Sequence, residues 1–206
     1  MFIIEVLGTI SFAISGIRLA AAKRFDWFGA YVIGLVTAIG GGTVRDVLLD
    51  IPVFWMLSWM YMAVTGISLV TVIIFRQTLV RGMRTLFIFD AIGLALFVVV
   101  GIEKTFAAGY PMWVAIVMGI ITGSFGGITR DILINEVPLF FRKDIYATAC
   151  LAGGVVYWLV SLIGIAPWLC GLSCAATVVG LRIAAVHYHW SLPILKVDPK
   201  SLPPDL

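Results

Sequence analysis

Gly40-Gly41-Gly42-Thr43-Val44-Arg45-Asp46 decides how this chain is read. It lies inside an apolar run long enough to cross a bilayer. Three consecutive glycines weaken a helix interior, and the Arg-Asp pair after them is expensive in hydrocarbon. The pattern returns as Phe125-Gly126-Gly127-Ile128-Thr129-Arg130-Asp131. Arg45 and Arg130 lie 85 positions apart, as do Asp46 and Asp131. The rest of the chain reads as two copies of one membrane unit built around these two stretches.

The composition agrees. Of 206 residues, 62% are hydrophobic and 12% charged, and mean hydropathy is +1.10. A soluble domain is nearer half apolar and about a quarter charged, so this is an integral membrane protein. Its apolar runs are of helix length without ten-residue alternation, which excludes an outer-membrane barrel. The net charge of +3 is spread over loops and forms no nucleic-acid face. Cys150, Cys170 and Cys174 sit in apolar segments and read as buried free thiols. The basic residues Arg18, Lys23 and Arg24 follow the first apolar run instead of preceding it, the reverse of a cleaved signal peptide.

Seven segments are apolar and long enough to span, near 2–20, 28–49, 56–75, 86–103, 112–134, 145–164 and 167–187. The expected class is therefore all-α integral membrane. The 85-residue offset also pairs Glu5 with Asp90, Gly8 with Gly93, Phe12 with Phe97, Gly16 with Gly101, Thr37 with Thr122 and Tyr61 with Tyr146. Each copy holds three spans. Three is odd, so the second copy enters the membrane inverted, giving a 3+3 inverted repeat. The expected units are 1–84, 85–166, an unpaired seventh helix over 167–190 and an irregular tail over 191–206. Counting Lys and Arg in the loops puts ten on one side and Lys104 alone on the other. The positive-inside rule then sets the N-terminus outside and the C-terminus in the cytoplasm.

Irregular backbone at membrane depth survives only where it is buried or lines a cavity. Helices two and five are therefore expected to break at Gly40, Gly41 and Gly42 and at Gly126 and Gly127, exposing carbonyls to a cation and N–H groups to an anion. Close helix packing is the other use of such glycines. Hydroxyls at Thr37, Thr43, Thr122, Ser124 and Thr129 can replace part of an ion's hydration shell or cap backbone, and Ser11 and Ser15 can face the same path. By depth, Glu5 is matched with Arg45 and Asp90 with Arg130, predicting two symmetry-related ion pairs beside Asp46 and Asp131. His187, His189 and Trp190 read as an interfacial belt, with no acid or thiol nearby to complete a metal site. No phosphate loop, zinc-protease signature, nucleophile elbow or CxxC is present, so no catalytic residue, metal or cofactor is expected.

On the paired glycine–Arg-Asp motifs and the 3+3+1 arrangement, the chain resembles the prokaryotic TRIC family, the trimeric intracellular cation channels, whose bacterial branch is also described as carrying a glycine-transporter domain. The resemblance covers nearly the whole chain. It implies a homotrimer with an hourglass pore inside each subunit, lined by kinked helices two and five, passing potassium and some sodium. The kink glycines carried over are Gly40, Gly41, Gly42, Gly126 and Gly127. Phe125 replaces the first glycine of the second cluster and offers a bulky constriction. Animal members carry Lys-Glu-Val where this chain has Gly-Thr-Val-Arg-Asp, so phosphoinositide regulation is not carried over.

The resulting expectation is a passive channel for monovalent cations in a bacterial inner membrane, with membrane lipids and its own copies as partners and no nucleic acid. A secondary transporter of glycine or a similar zwitterion, and a scaffold whose glycines only pack helices, stay open as alternatives.

Overall fold

The structure, a computed structural model, describes residues 1–75, 83–142 and 145–193, with backbone alone for 83–85. Of the basic residues counted for orientation, Arg76, Arg81, Arg84, Lys143, Lys196 and Lys200 lie outside the described residues or their side chains, as does the tail beyond 193. Among the described residues there are seven α-helices: α1 (Phe2–Ala22), α2 (Trp27–Leu48), α3 (Met60–Ile74), α4 (Met83–Ala107), α5 (Met112–Leu133), α6 (Ala147–Leu162) and α7 (Pro167–His187). Five are long and apolar enough to cross a membrane, whereas α3 and α6 are shorter. The span expected at 56–75 begins four residues later, at Met60, and that expected at 145–164 two residues later, at Ala147. The chain there leaves a proline, Pro52 or Pro138, and passes through a 3-10 turn, Phe54–Leu57 or Leu139–Phe141, before the helix begins.

Helices α1, α2, α4 and α5 form the centre. α3 packs on α1 and α2, α6 packs on α5, and α7 covers α6 and α4. The halves match in detail. Phe12 and Phe97 stack at 5.3 Å where α1 crosses α4. Gly8 leaves room for the Phe97 ring, and Gly93 for the Phe12 ring. Helix exits repeat too. α2 ends with Asp50 and α5 with Asn135 in the left-handed region (φ 53° and 58°). Each is followed by an amide that reaches back five residues, Ile51 to the Asp46 carbonyl at 3.0 Å and Glu136 to the Asp131 carbonyl at 2.8 Å. Arg24 after α1 and Gly109 after α4 do the same (φ 62° and 88°). Asp50–Asn135 and Arg24–Gly109 are both 85 positions apart. The inverted repeat is thus written into the caps as well as the packing.

The expected breaks in helices two and five are corrected here. α2 and α5 each run as one uninterrupted helix through their glycines. None of Gly40, Gly41, Gly42, Gly126 or Gly127 has a positive φ. The glycines serve approach instead. A Cβ on Gly41 would collide with the Thr122 carbonyl, and one on Gly126 with the Thr37 carbonyl. Thr37 and Gly41 on α2 therefore face Thr122 and Gly126 on α5 in a contact that maps onto itself under the repeat. With no Cβ in the way, the two backbones touch, and a straight hydrogen-bond ladder suffices on each side.

Candidate functional site

The crossing of α2 and α5 is flanked at each end by a buried arginine. Arg45 and Arg130 are each 1% exposed, among the largest fully buried side chains described. Each is followed by an aspartate that folds back onto it. Asp46 Oδ1 accepts from Arg45 Nε at 2.8 Å and Nη2 at 2.6 Å. Asp131 Oδ1 accepts from Arg130 Nε at 2.8 Å. The second carboxylate oxygen has the same job in both halves. Asp46 Oδ2 accepts from the Phe54 amide at 2.9 Å, and Asp131 Oδ2 from the Leu139 amide at 3.1 Å. Each aspartate therefore ties its arginine to the loop that follows, eight residues on, and a charge-assisted bond to backbone is a strong one.

The predicted pair Asp90–Arg130 is present: Arg130 Nη1 donates to Asp90 Oδ1 at 2.9 Å and to Ser15 Oγ at 2.8 Å. The predicted pair Glu5–Arg45 is not. Glu5 Oε1 meets Lys104 Nζ at 2.6 Å, and Oε2 accepts from the Tyr61 hydroxyl at 2.8 Å. Depth alone favoured Arg45, but α4 presents Lys104 to Glu5 from across the repeat, and α3 adds Tyr61. Arg45 instead keeps Asp46 and lies 5.8 Å from the centre of the Phe54 ring. Sequence reading missed Lys104, Tyr61 and Phe54. The pairing of Tyr61 with Tyr146 at the common offset was the available signal.

The five hydroxyls all turn inward to their own helix. Thr37, Thr43, Thr122, Ser124 and Thr129 donate to the carbonyls of Ile33, Ile39, Met118, Ile120 and Phe125 at 2.6–2.9 Å. Capping of the i−4 carbonyl is thus the state described, which leaves their lone pairs as the free function. Thr43 Oγ1 uses one of these to accept from Trp55 Nε1 at 2.9 Å. Ser11 likewise bonds the Leu7 carbonyl. Phe125, offered as a bulky constriction, is 38% exposed.

From the end nearest Arg130, a cavity of about 180 Å³ enters between Leu19, Leu86, Val137 and Leu139 and reaches Arg130 and Asp131. Its rim carries Glu136 and Arg142. Glu136 pairs with Lys23 at the end of α1 and with Arg142 Nη2 at 3.4 Å. The Lys23 hydrogen bond, with help from Arg142, holds the Glu136 carboxyl below the usual carboxylate range. The corresponding positions at the other end, Ala108, Ile51 and Leu57, carry no charge. Among the described residues no cluster of three His, Cys, Asp or Glu side chains could hold a metal.

The chain and its fold have known relatives. The chain is 42% identical to the inner membrane protein YadS of Escherichia coli strain K12, over 95% of this chain and 96% of the relative. Its fold matches the TRIC trimeric intracellular cation channel orthologue from Rhodobacter sphaeroides with a TM-score of 0.87 and 33% identity, over 91% and 97% of the two chains. A second solved TRIC cation channel matches with a TM-score of 0.85 and 30% identity, over 96% and 98%. The sequence model of the family described as glycine transporter matches twice, at residues 2–77 and 87–161. Those two matches begin one repeat offset apart, and together they show that the chain belongs to the glycine transporter family of membrane proteins, with the fold of the prokaryotic TRIC channels.

Proposed function

We propose that this chain is a passive channel for monovalent cations, potassium with some sodium, working as a homotrimer in a bacterial inner membrane. The observation that carries the reading is the likeness along nearly the whole chain to solved TRIC cation channels. In this reading the path runs inside each subunit between α2 and α5, with the N-terminus outside and the C-terminus in the cytoplasm. The cavity ending on Arg130 is its inner vestibule, and the Gly41–Thr122 and Gly126–Thr37 contact is its constriction. Conduction then requires α2 and α5 to part at that contact. Hydroxyls freed from their i−4 carbonyls, together with those carbonyls, supply the oxygens a partly dehydrated cation needs. The flanking Arg-Asp units hold buried charge close to neutral at each end, so a passing cation meets no large barrier of either sign.

A second reading is favoured by the family's own description. In it the crossing opens alternately to each side and carries glycine or a similar zwitterion. Purified protein in liposomes separates the two, with potassium and glycine flux measured side by side and planar-bilayer recordings of the same sample. Discrete potassium currents that Gly41→Ala alters support the channel. Saturable glycine uptake without unitary currents overturns it in favour of the transporter.

A further inference from the structure

The seventh helix has no counterpart in the repeat, yet it sends one charged side chain into the heart of the second half. Arg182 of α7 is 4% exposed. Its Nη1 donates to the Ile145 carbonyl at 3.2 Å, and its Nη2 lies 3.7 Å from Asp90 Oδ2. The guanidinium also lies 4.6 Å from the centre of the Tyr146 ring and 5.1 Å from that of Phe87. The repeat explains why an extra cation is needed there. In the first half the acid is Glu5, and its second oxygen is taken by the Tyr61 hydroxyl. In the second half the tyrosine is still present as Tyr146, but the acid is Asp90, one methylene shorter, or about 1.5 Å less reach. Asp90 Oδ2 and the Tyr146 hydroxyl are both buried without a hydrogen-bond partner among the described residues. The Tyr146 hydroxyl and the Asp90 carboxylate both border Gly127, whose added Cβ would lie 3.2 Å from the Tyr146 oxygen and 4.0 Å from Asp90 Oδ1. The hydrogen bond that closes the first half is open in the second, and Arg182 stands at the opening.

We propose that Arg182 is the positioning residue of the inner Arg130–Asp90 pair. Its charge occupies Asp90 Oδ2 in place of the missing tyrosine bond, and so keeps Arg130 on Oδ1 and on Ser15. The cluster then holds two acids, Asp90 and Asp131, against two arginines, Arg130 and Arg182. Without Arg182, Arg130 is the one cation left on Asp90 among the described residues and swings to hold both of its oxygens. It leaves Ser15 and tightens the inner end of the crossing. This consequence for conduction rests on the channel reading above, whereas the pairing itself does not.

The test is a rescue series on the full-length protein in liposomes and planar bilayers, with apparent melting temperature measured in parallel. Arg182→Gln should lower the open fraction roughly threefold or more, as expected for residues in one network, and should lower the melting temperature. Asp90→Glu in the same chain lengthens the acid so that Tyr146 can close on it as Tyr61 does on Glu5, and should restore both. Adding Tyr146→Phe should remove the restoration. Arg182→Lys keeps the charge and should retain most of the open fraction. The proposal is overturned if Arg182→Gln behaves as wild type, if Asp90→Glu fails to rescue it, or if rescue survives Tyr146→Phe. If the wild-type protein carries no current, the channel reading fails, and the melting series alone decides the pairing by the same three criteria.

Discussion

Replacing Gly41 by alanine adds one methyl group where α2 meets α5. The new Cβ would stand 2.8 Å from the carbonyl carbon of Thr122, whereas carbon atoms rest about 3.5–4.0 Å apart. The obstacle is backbone on both sides, so no rotamer relieves it. The helices must separate by roughly an ångström, and overpacking of this kind typically costs about 1–3 kcal/mol. Alanine's better helix propensity offsets up to about 1 kcal/mol. Gly41→Ala should therefore destabilise the protein by about 1–2 kcal/mol net. Gly126→Ala, placed against the Thr37 carbonyl, should match it. Gly40 is the internal control. Its added Cβ meets nothing nearer than the Gly126 Cα at 3.4 Å, so propensity wins and Gly40→Ala should be neutral or slightly stabilising. Because both methyls press on one contact, the double variant should cost less than the sum of the singles. Apparent melting temperature of purified protein reads stability, and potassium flux in liposomes reads the crossing. If Gly41→Ala melts at or above wild type while Gly40→Ala falls, the backbone contact is refuted.

Asp46 is the one carboxylate on Arg45 among the described residues, while Arg130 has both Asp131 and Asp90. Asp46→Asn should thus cost about 3–5 kcal/mol in a melting assay, the range for a stranded buried charge, and Asp131→Asn clearly less. Exchanging Glu5 with Lys104, as Glu5→Lys with Lys104→Glu, should recover the flux and melting lost by either single variant, whereas Glu5→Arg with Arg45→Glu should recover nothing. The carboxyl of Glu136 is held below its unfolded value, so its contribution is present above the ordinary carboxylate pKa and lost as pH falls through the lowered one. Melting curves of wild type and Glu136→Gln should therefore differ slightly near neutrality and converge in acid.

Much of the fold was legible in the sequence because a repeat in a membrane leaves few choices. The offset of 85, an odd number of spans per copy and the Lys/Arg imbalance lead to the inverted arrangement without any side-chain geometry. The glycines were harder. A triplet at membrane depth serves either to interrupt a helix or to let another helix touch it, and composition is the same in both cases. What separates them is whether a second small-residue stripe lies opposite, and that needs the angle at which α2 meets α5. Partner choice was harder still. Asp90 and Arg130 were matched by depth because both face the same cluster. Glu5 and Arg45 lie around the same Phe54 and Tyr61 rings, yet Lys104 arrives from the other copy and takes the carboxylate. The role of the two aspartates in holding the loops at Phe54 and Leu139 had no signal except its repetition, and Arg182 had none, because the seventh helix has nothing to be compared with.

The meeting of Thr37 and Gly41 with Thr122 and Gly126 has a meaning for descent. A contact that maps onto itself requires only one sequence, used twice in opposite senses. A single three-helix chain carrying Thr-x-x-x-Gly, inserted into the bilayer in both orientations, would hold every atom the crossing needs. Joining two such chains makes each free to diverge, and here the divergence is visible at one methylene, Glu5 against Asp90. The half with the longer acid closes on its own tyrosine. The other half takes a second cation from the unpaired seventh helix, so its chemistry cannot be inferred from its twin.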